Sequence, residues 1–212
     1  HNHGDHIYGL PGLLSTISNM GRKEAMDIFA PKGLKEWLLG SLKITGTYLG
    51  YKLNFYELTD NYVYDFDKFK VEVTTLNHDV ICYGFKVIQK DLEGVLDVDK
   101  AKMLGVPFGP LMGNLKNGKD VLLENGQLIK SSEVLGTKRK GKVIVICGDT
   151  AYYEKLETFS KGADILVHEA TIFSGKDESR KISGHSTNVE ASTVAKKAEV
   201  GVLILNHISS RY

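Results

Sequence analysis

The chain opens on His1-Asn2-His3-Gly4-Asp5-His6. Imidazole and carboxylate side chains at this density are ligands for borderline divalent cations. His1 and His3, two positions apart, can point the same way from an extended loop, and Asp5 and His6 can turn to a second point nearby. That geometry suits two adjacent cations, so metal-ion chemistry is the first expectation. Other ligand or acid–base side chains stand far along the chain, in Asn77-His78, Gly148-Asp149-Thr150, His168-Glu169 and Asn206-His207. Each is ambiguous alone. A single histidine after a strand is more often a core or turn residue, and Asp149 in Gly-Asp-Thr could serve a turn.

What joins them is the kind of segment that precedes each. Residues 69–76 alternate like a half-buried strand and lead to His78. Residues 142–147 and 163–167 are continuous apolar runs, typical of interior strands, and lead to Asp149 and to His168-Glu169. Residues 202–205 read as a last buried strand before His207. Strands fix direction and expose side chains at one rim, so distant segments could converge there. The remaining elements are a short helix over 9–20, a strand over 27–30 and a strand over 53–58. Pro31 fits a first helical turn, and 33–42 carries apolar residues at helical spacing. Residues 82–88 continue the sheet after a short turn, and Thr187-x-x-Glu190 is a capping-box pattern opening a helix that runs to about Glu199.

A length of 212 residues, 42% hydrophobic and 25% charged, suits one domain or one domain with an insertion. No apolar run reaches the ~18 residues needed to cross a bilayer. Cys82 and Cys147 each sit in an apolar stretch and read as buried thiols, which fits a reducing compartment. The net charge of +1 is uneven: residues 98–140 hold eight Lys/Arg against four Asp/Glu, a local +4, while the rest holds 19 against 22. A basic excess on a near-neutral chain points to a polyanionic partner. On charge alone, a solvated lysine-rich loop is the simpler account.

His-x-His-x-Asp-His is the signature of the metallo-β-lactamase fold, and the longer string over 1–14 resembles a narrower branch, ribonuclease Z, the tRNA 3′-processing endonucleases. Leu76-Asn77-His78 followed by Cys82-Tyr83-Gly84-Phe85 is similar to that family's third histidine region. Gly148-Asp149-Thr150 matches its bridging aspartate, and His168-Glu169-Ala170-Thr171 and His185-Ser186-Thr187 match two motifs of the branch. Leu205-Asn206-His207-Ile208-Ser209-Ser210-Arg211-Tyr212 matches its final ligand motif. The motifs run in order along nearly the whole chain.

The resemblance implies an α/β fold, the αββα sandwich of the metallo-β-lactamases, with a flexible tRNA-binding exosite arm inserted at about 98–140. It implies two Zn²⁺ per subunit, with Mn²⁺ the alternative: one held by His1, His3, His78 and Asp149, the other by Asp5, His6, His207 and the same Asp149. Asp5 would accept the proton of the attacking water. His185 would protonate the leaving 3′-oxygen, and Glu169 would hold its ring, with His168 in a supporting place. The products would be a tRNA ending in 3′-OH and a trailer beginning with 5′-phosphate. Precursor tRNA is the expected substrate, and a cytoplasmic homodimer the expected assembly, the arm of one subunit gripping the tRNA elbow while the other cuts. Family members begin with strands and a glycine-rich loop before the histidine motif and continue past Ser-Arg-Tyr, so this sequence is expected to be an internal piece. Two rival expectations are a dinuclear hydrolase of the same fold acting on small phosphodiesters or sulfate esters, and a catalytically silent RNA-binding or dimerisation partner.

Overall fold

The computed structural model describes residues 1–174 and 184–211. The chain divides into two compact units: His1–Ile88 with Val143–Tyr212, and Gln89–Lys142.

The first unit begins with a single helical turn, α1 (Gly4–Ile7), and a longer helix, α2 (Leu10–Asn19). Asp5 and His6 therefore lie on this helical turn, and His3 ahead of it is extended. Strand β1 (Met26–Ala30), helix α3 (Leu34–Ile44) and strand β2 (Leu53–Glu57) follow, and β1 pairs with β2 in parallel. Pro31 lies ahead of α3 rather than in its first turn; Gly33, at a φ of 94°, turns the chain into the helix. Strands β3 (Val63–Asp65), β4 (Phe69–Thr75) and β5 (Tyr83–Gln89) complete the first half. The second half supplies β8 (Val143–Ile146), α7 (Glu154–Phe159), β9 (Ile165–Glu169), α8 (Asn188–Lys197) and β10 (Val202–Asn206). Six strands form one mixed sheet in the order β10-β9-β8-β5-β4-β3. The pairs β10–β9 and β9–β8 are parallel, and β8–β5 and β4–β3 antiparallel.

Alternation along the strands builds the layers. Met26 and Ile28 of β1 pack with Leu14 of α2 and Leu38 and Leu42 of α3. Phe29, the next residue after Ile28, turns the other way and packs with Val73 and Tyr83 of the large sheet. On that sheet's opposite face Val145 and Leu166 meet Leu156 of α7 and Val194 of α8. Helices, small sheet, large sheet and helices thus stack as an αββα sandwich. Leu38, Leu156 and Leu166 are fully buried, each side chain contributing about 1.5–3 kcal/mol by leaving water. Cys82 and Cys147 are buried free thiols, and burial pushes Cys82 up to about 11 and Cys147 up to about 12. Among the described residues no helix is long and apolar enough to cross a membrane.

Two expectations about strands are corrected. Residues 202–205 form a strand but not a buried one: β10 is at the end of the sheet, and alternate residues Val202 and Ile204 are exposed. His168 and Glu169 do not follow β9 but are its last two residues. Their alternation is hidden in the sequence because both lie buried.

The second unit has its own small core. Helices α4 (Val98–Met103), α5 (Pro110–Lys116) and α6 (Ser131–Val134) and the antiparallel pair β6 (Val121–Leu122) and β7 (Leu128–Ile129) enclose it. Ala101, Val106, Met112, Leu115, Ile129 and Val134 are buried together. Asp97 caps α4 by accepting a hydrogen bond from the Lys100 amide. Asp120 accepts 2.8 Å and 3.1 Å bonds from the backbone and hydroxyl of Ser131, tying the α5–β6 connection to α6.

Candidate metal centre

The site lies where β4, β8, β9 and β10 end and the first residues of the chain pass. Asp149, just beyond β8, is buried at 3% exposure and sits at its middle. One of its oxygens is 3.3 Å from Nε2 of His1 and 3.3 Å from Nε2 of His6. The other is 3.6 Å from Nε2 of His207. Asp5 stands 3.4 Å from His6 and 3.3 Å from His207 through the same carboxylate oxygen. Ligand atoms of Asp5, His6, Asp149 and His207 all lie within 4.8 Å of one another. Those of His1, His3 and His78 do likewise. His3 stands in that group alone, whereas Asp149 also groups with His78 and His185. All seven residues assigned to metal from the sequence are therefore drawn to one place.

The imidazoles are oriented from behind. Nδ1 of His78 donates to the carbonyl of Gly184 at 2.7 Å, leaving Nε2 turned toward His3, 3.4 Å away. Nδ1 of His207 meets the Thr171 hydroxyl at 2.8 Å, leaving Nε2 toward the two aspartates. His207 itself takes a left-handed φ of 52°, a conformation that costs about 1–3 kcal/mol and occurs where a site needs it. Fixing one ring nitrogen so that the other can bind is how metal-binding histidines are commonly held.

Glu169 and His185 adjoin this cluster, their ligand atoms grouping with that of His207. Glu169, 1% exposed, accepts the amides of Thr150 (3.0 Å) and Thr171 (2.9 Å) and Nδ1 of His185 (2.9 Å). Three donors thereby engage its carboxylate, and a ligand atom of His185 lies within 4.8 Å of those of His78 and Asp149. Buried His168 bonds its own strand end through Nδ1, and desolvation lowers its pKa, so it is a neutral core imidazole. Desolvation raises Asp5, but the hydrogen bond with His207 and the electrostatic influence of the neighbouring His6 more than reverse this and leave its carboxyl below the usual range. An aspartate so disposed is ionised at neutral pH.

Thr150, Thr171, Gly184 and Asp79 escaped the sequence reading as parts of the site. A Cβ at Gly184 would come within 2.6 Å of Nδ1 of His78, and φ there is 87°. The only signal was Gly184's place next to the His185 motif. Tyr212, the end of the final motif, lies outside the described residues.

The donor set fits divalent cations. Nε2 of His1 is buried without a hydrogen-bond partner although an Asp149 oxygen is 3.3 Å off. A buried lone pair aimed beside a carboxylate, yet not bonded to it, is the arrangement that a shared cation satisfies. Imidazole and carboxylate donors without thiolate suit zinc, with manganese an alternative.

No protein-family model matches the sequence. The chain is 44% identical over 217 aligned residues to ribonuclease Z of Streptococcus gordonii, covering all of this chain and 70% of that protein. Identity to the Streptococcus suis ribonuclease Z is 46% with the same coverage. Among solved structures, the short form of human tRNase Z superposes with a TM-score of 0.67 at 25% identity, covering 100% of this chain and 71% of that one. The metallo-β-lactamase fold protein YhfI of Bacillus subtilis superposes at 0.58 with 18% identity and 63% of its chain covered, a likeness of fold. With its layered sheets, its histidine-rich rim and this full-length similarity, the chain belongs to the ribonuclease Z family, endoribonucleases of the metallo-β-lactamase fold.

Proposed function

We propose that this chain removes the 3′ trailer from precursor tRNA by hydrolysing one phosphodiester, leaving 3′-OH on the tRNA and 5′-phosphate on the trailer. The observation that carries the reading is the meeting of His1, His6 and His207 around Asp149 in a chain similar along its whole length to ribonuclease Z.

His1, His3, His78 and Asp149 would hold one divalent cation, and Asp5, His6, His207 and Asp149 the other, Zn²⁺ suiting the donors best and Mn²⁺ next. Two such cations supply positive charge to a phosphodiester and make water acidic enough to give hydroxide near neutral pH. Around them the side chains divide the proton work. Asp5, ionised and 62% exposed at its side chain, takes the proton of the attacking water. His185 gives a proton from Nε2 to the departing 3′-oxygen, and Glu169 holds the ring through Nδ1. The new P–O bond and the broken P–O3′ bond then balance with one water consumed.

The basic segment 98–140 serves as the tRNA grip, and the protein works as a cytoplasmic homodimer. A small-ester hydrolase of the same fold would have no use for a lysine-rich surface. The test is an unprocessed tRNA transcript carrying a 3′ trailer, incubated with the full chain and metal. Cleavage at the base of the acceptor stem, with 3′-OH and 5′-phosphate ends, is the expected result. Hydrolysis of bis(p-nitrophenyl) phosphate with no cut in the transcript would transfer the chain to the small-ester reading.

A further inference from the structure

Thr171 stands behind two imidazoles at once, and its hydroxyl oxygen is shared between them. It lies 2.8 Å from Nδ1 of His207 and 3.2 Å from Nδ1 of His185. The hydrogens on those nitrogens follow from the other partners of each ring. Nδ1 of His185 also meets a Glu169 oxygen at 2.9 Å, and that carboxylate already takes two amides. A carboxylate accepts, so Nδ1 of His185 carries the hydrogen. His207 turns Nε2 toward Asp5 at 3.3 Å and Asp149 at 3.6 Å, the side kept for a cation, so its hydrogen too is on Nδ1. A hydroxyl oxygen has two lone pairs, and here each receives one imidazole N–H.

The threonine is itself fixed. Its amide donates to the second oxygen of Glu169 at 2.9 Å, and the neighbouring Ala170 amide donates to the Asn206 carbonyl at 3.0 Å. The ends of β9 and β10 are thereby joined with the hydroxyl between the two rings. Those rings lie nearly parallel, 11° apart in plane, with centroids 5.7 Å apart. Thr171 is buried, so little water is at hand to replace the hydroxyl.

Resting on the nuclease reading above, we propose that Thr171 is a positioning residue whose hydroxyl sets the proton donor, His185, in register with the metal ligand His207. One oxygen atom then fixes both the ring that binds the cation and the ring that serves the leaving group. Without it the two rings drift separately, and a displacement of ~1 Å can cost ~100-fold in rate. The rival account is a threonine that only supports the fold, and it would lower every activity alike.

Thr171→Val keeps the shape and removes the hydroxyl, whereas Thr171→Ser keeps the hydroxyl. Zinc titration of the metal-stripped chain, without substrate, should show ~10-fold weaker binding at one site in Thr171→Val and wild-type binding in Thr171→Ser. At saturating zinc, kcat is then compared on a trailer-bearing tRNA transcript and on bis(p-nitrophenyl) phosphate. The ribose 3′-oxygen needs a proton to leave, and p-nitrophenolate does not. Thr171→Val should therefore lower the ratio of transcript to small-ester kcat by ~10-fold or more, and Thr171→Ser should restore it. On a His185→Ala background the same change should leave the ratio where His185→Ala put it. An unshifted ratio, a shift that persists without His185, or unchanged zinc binding overturns the proposal and leaves the nuclease reading standing. A wild-type chain that does not cut the transcript overturns both.

Discussion

His78 is held by a backbone carbonyl 106 positions away, and the residue offering it has no side chain. Gly184 combines two demands: a φ of 87°, which L side chains rarely adopt, and an approach to His78 that a methyl group would close to 2.6 Å. Gly184→Ala should therefore push the His78 ring off its axis while leaving the buried cores alone. We expect metal affinity at one site to fall ~10-fold or more, the size of effect seen when a group behind a ligating histidine is lost. Isothermal titration with Zn²⁺ checks this, and wild-type affinity in the variant would show that the carbonyl does not orient the ring. Thr171 has a comparable place behind His207, 2.8 Å from Nδ1, and it also reaches His185 at 3.2 Å. One hydroxyl thus links a proposed metal ligand to the proposed proton donor.

The elements bring these residues together through loops tied down by their own polar contacts. Asp60, between β2 and β3, accepts the amide of Thr75 at the end of β4 at 2.7 Å and pairs with Lys155 of α7 at 3.3 Å. Desolvation raises its carboxyl, but the Thr75 amide and the Lys155 charge outweigh it and hold the group below 3.8. A folded-state value below the unfolded one means stability that is present near neutrality and lost as pH falls through the folded value. Asp60→Asn keeps an acceptor for Thr75 and deletes the charge. At neutral pH this should cost about 0.5–1 kcal/mol after screening by solvent, or ~1–4 °C in Tm. The gap from wild type should close as pH falls from neutrality through and below the ordinary carboxylate range, and thermal melts at decreasing pH decide it; a constant gap would mean the charge does not contribute. The same tie explains what was legible in the sequence. The ends of β4, β8 and β10 were readable because their apolar runs stop at ligand-type residues. So was the α8 capping box, in which Thr187 and Glu190 exchange 3.1 Å and 2.8 Å bonds. Strand β3 was not, because Val63-Tyr64-Asp65 is too short to show a period. The exposure of Val202 and Ile204 was not, because an apolar strand reads alike at a sheet's edge and in its interior. Gly184 and Thr171 were hard to read for a different reason: their partners lie across the fold, and beyond Gly184's place next to His185 and Thr171's place in the His168 motif nothing in their neighbourhood announces them.

For the whole molecule the question is how a chain of net charge +1 holds a polyanion. The answer proposed is segregation. All eight Lys and Arg of 98–140 are exposed, while the second unit's core is filled by Ala101, Val106, Met112, Leu115, Ile129 and Val134. The charges can therefore be changed without touching what folds the unit. Replacing Lys100, Lys102, Lys116 and Lys119 together with alanine lowers the segment from +4 to neutral. Binding of precursor tRNA should then weaken, and the dependence of log Kd on log salt should flatten by ~1 for each lysine that meets a phosphate. Hydrolysis of bis(p-nitrophenyl) phosphate needs no such grip and should keep its wild-type rate. The two readouts separate the possibilities. Weaker tRNA binding with an unchanged salt slope would place the phosphate contacts elsewhere on the protein. Equal loss on both substrates would mean that the lysines support the catalytic unit rather than the substrate. Only a flattened slope together with an intact small-ester rate fits a surface that neutralises RNA phosphates and takes no part in breaking the bond.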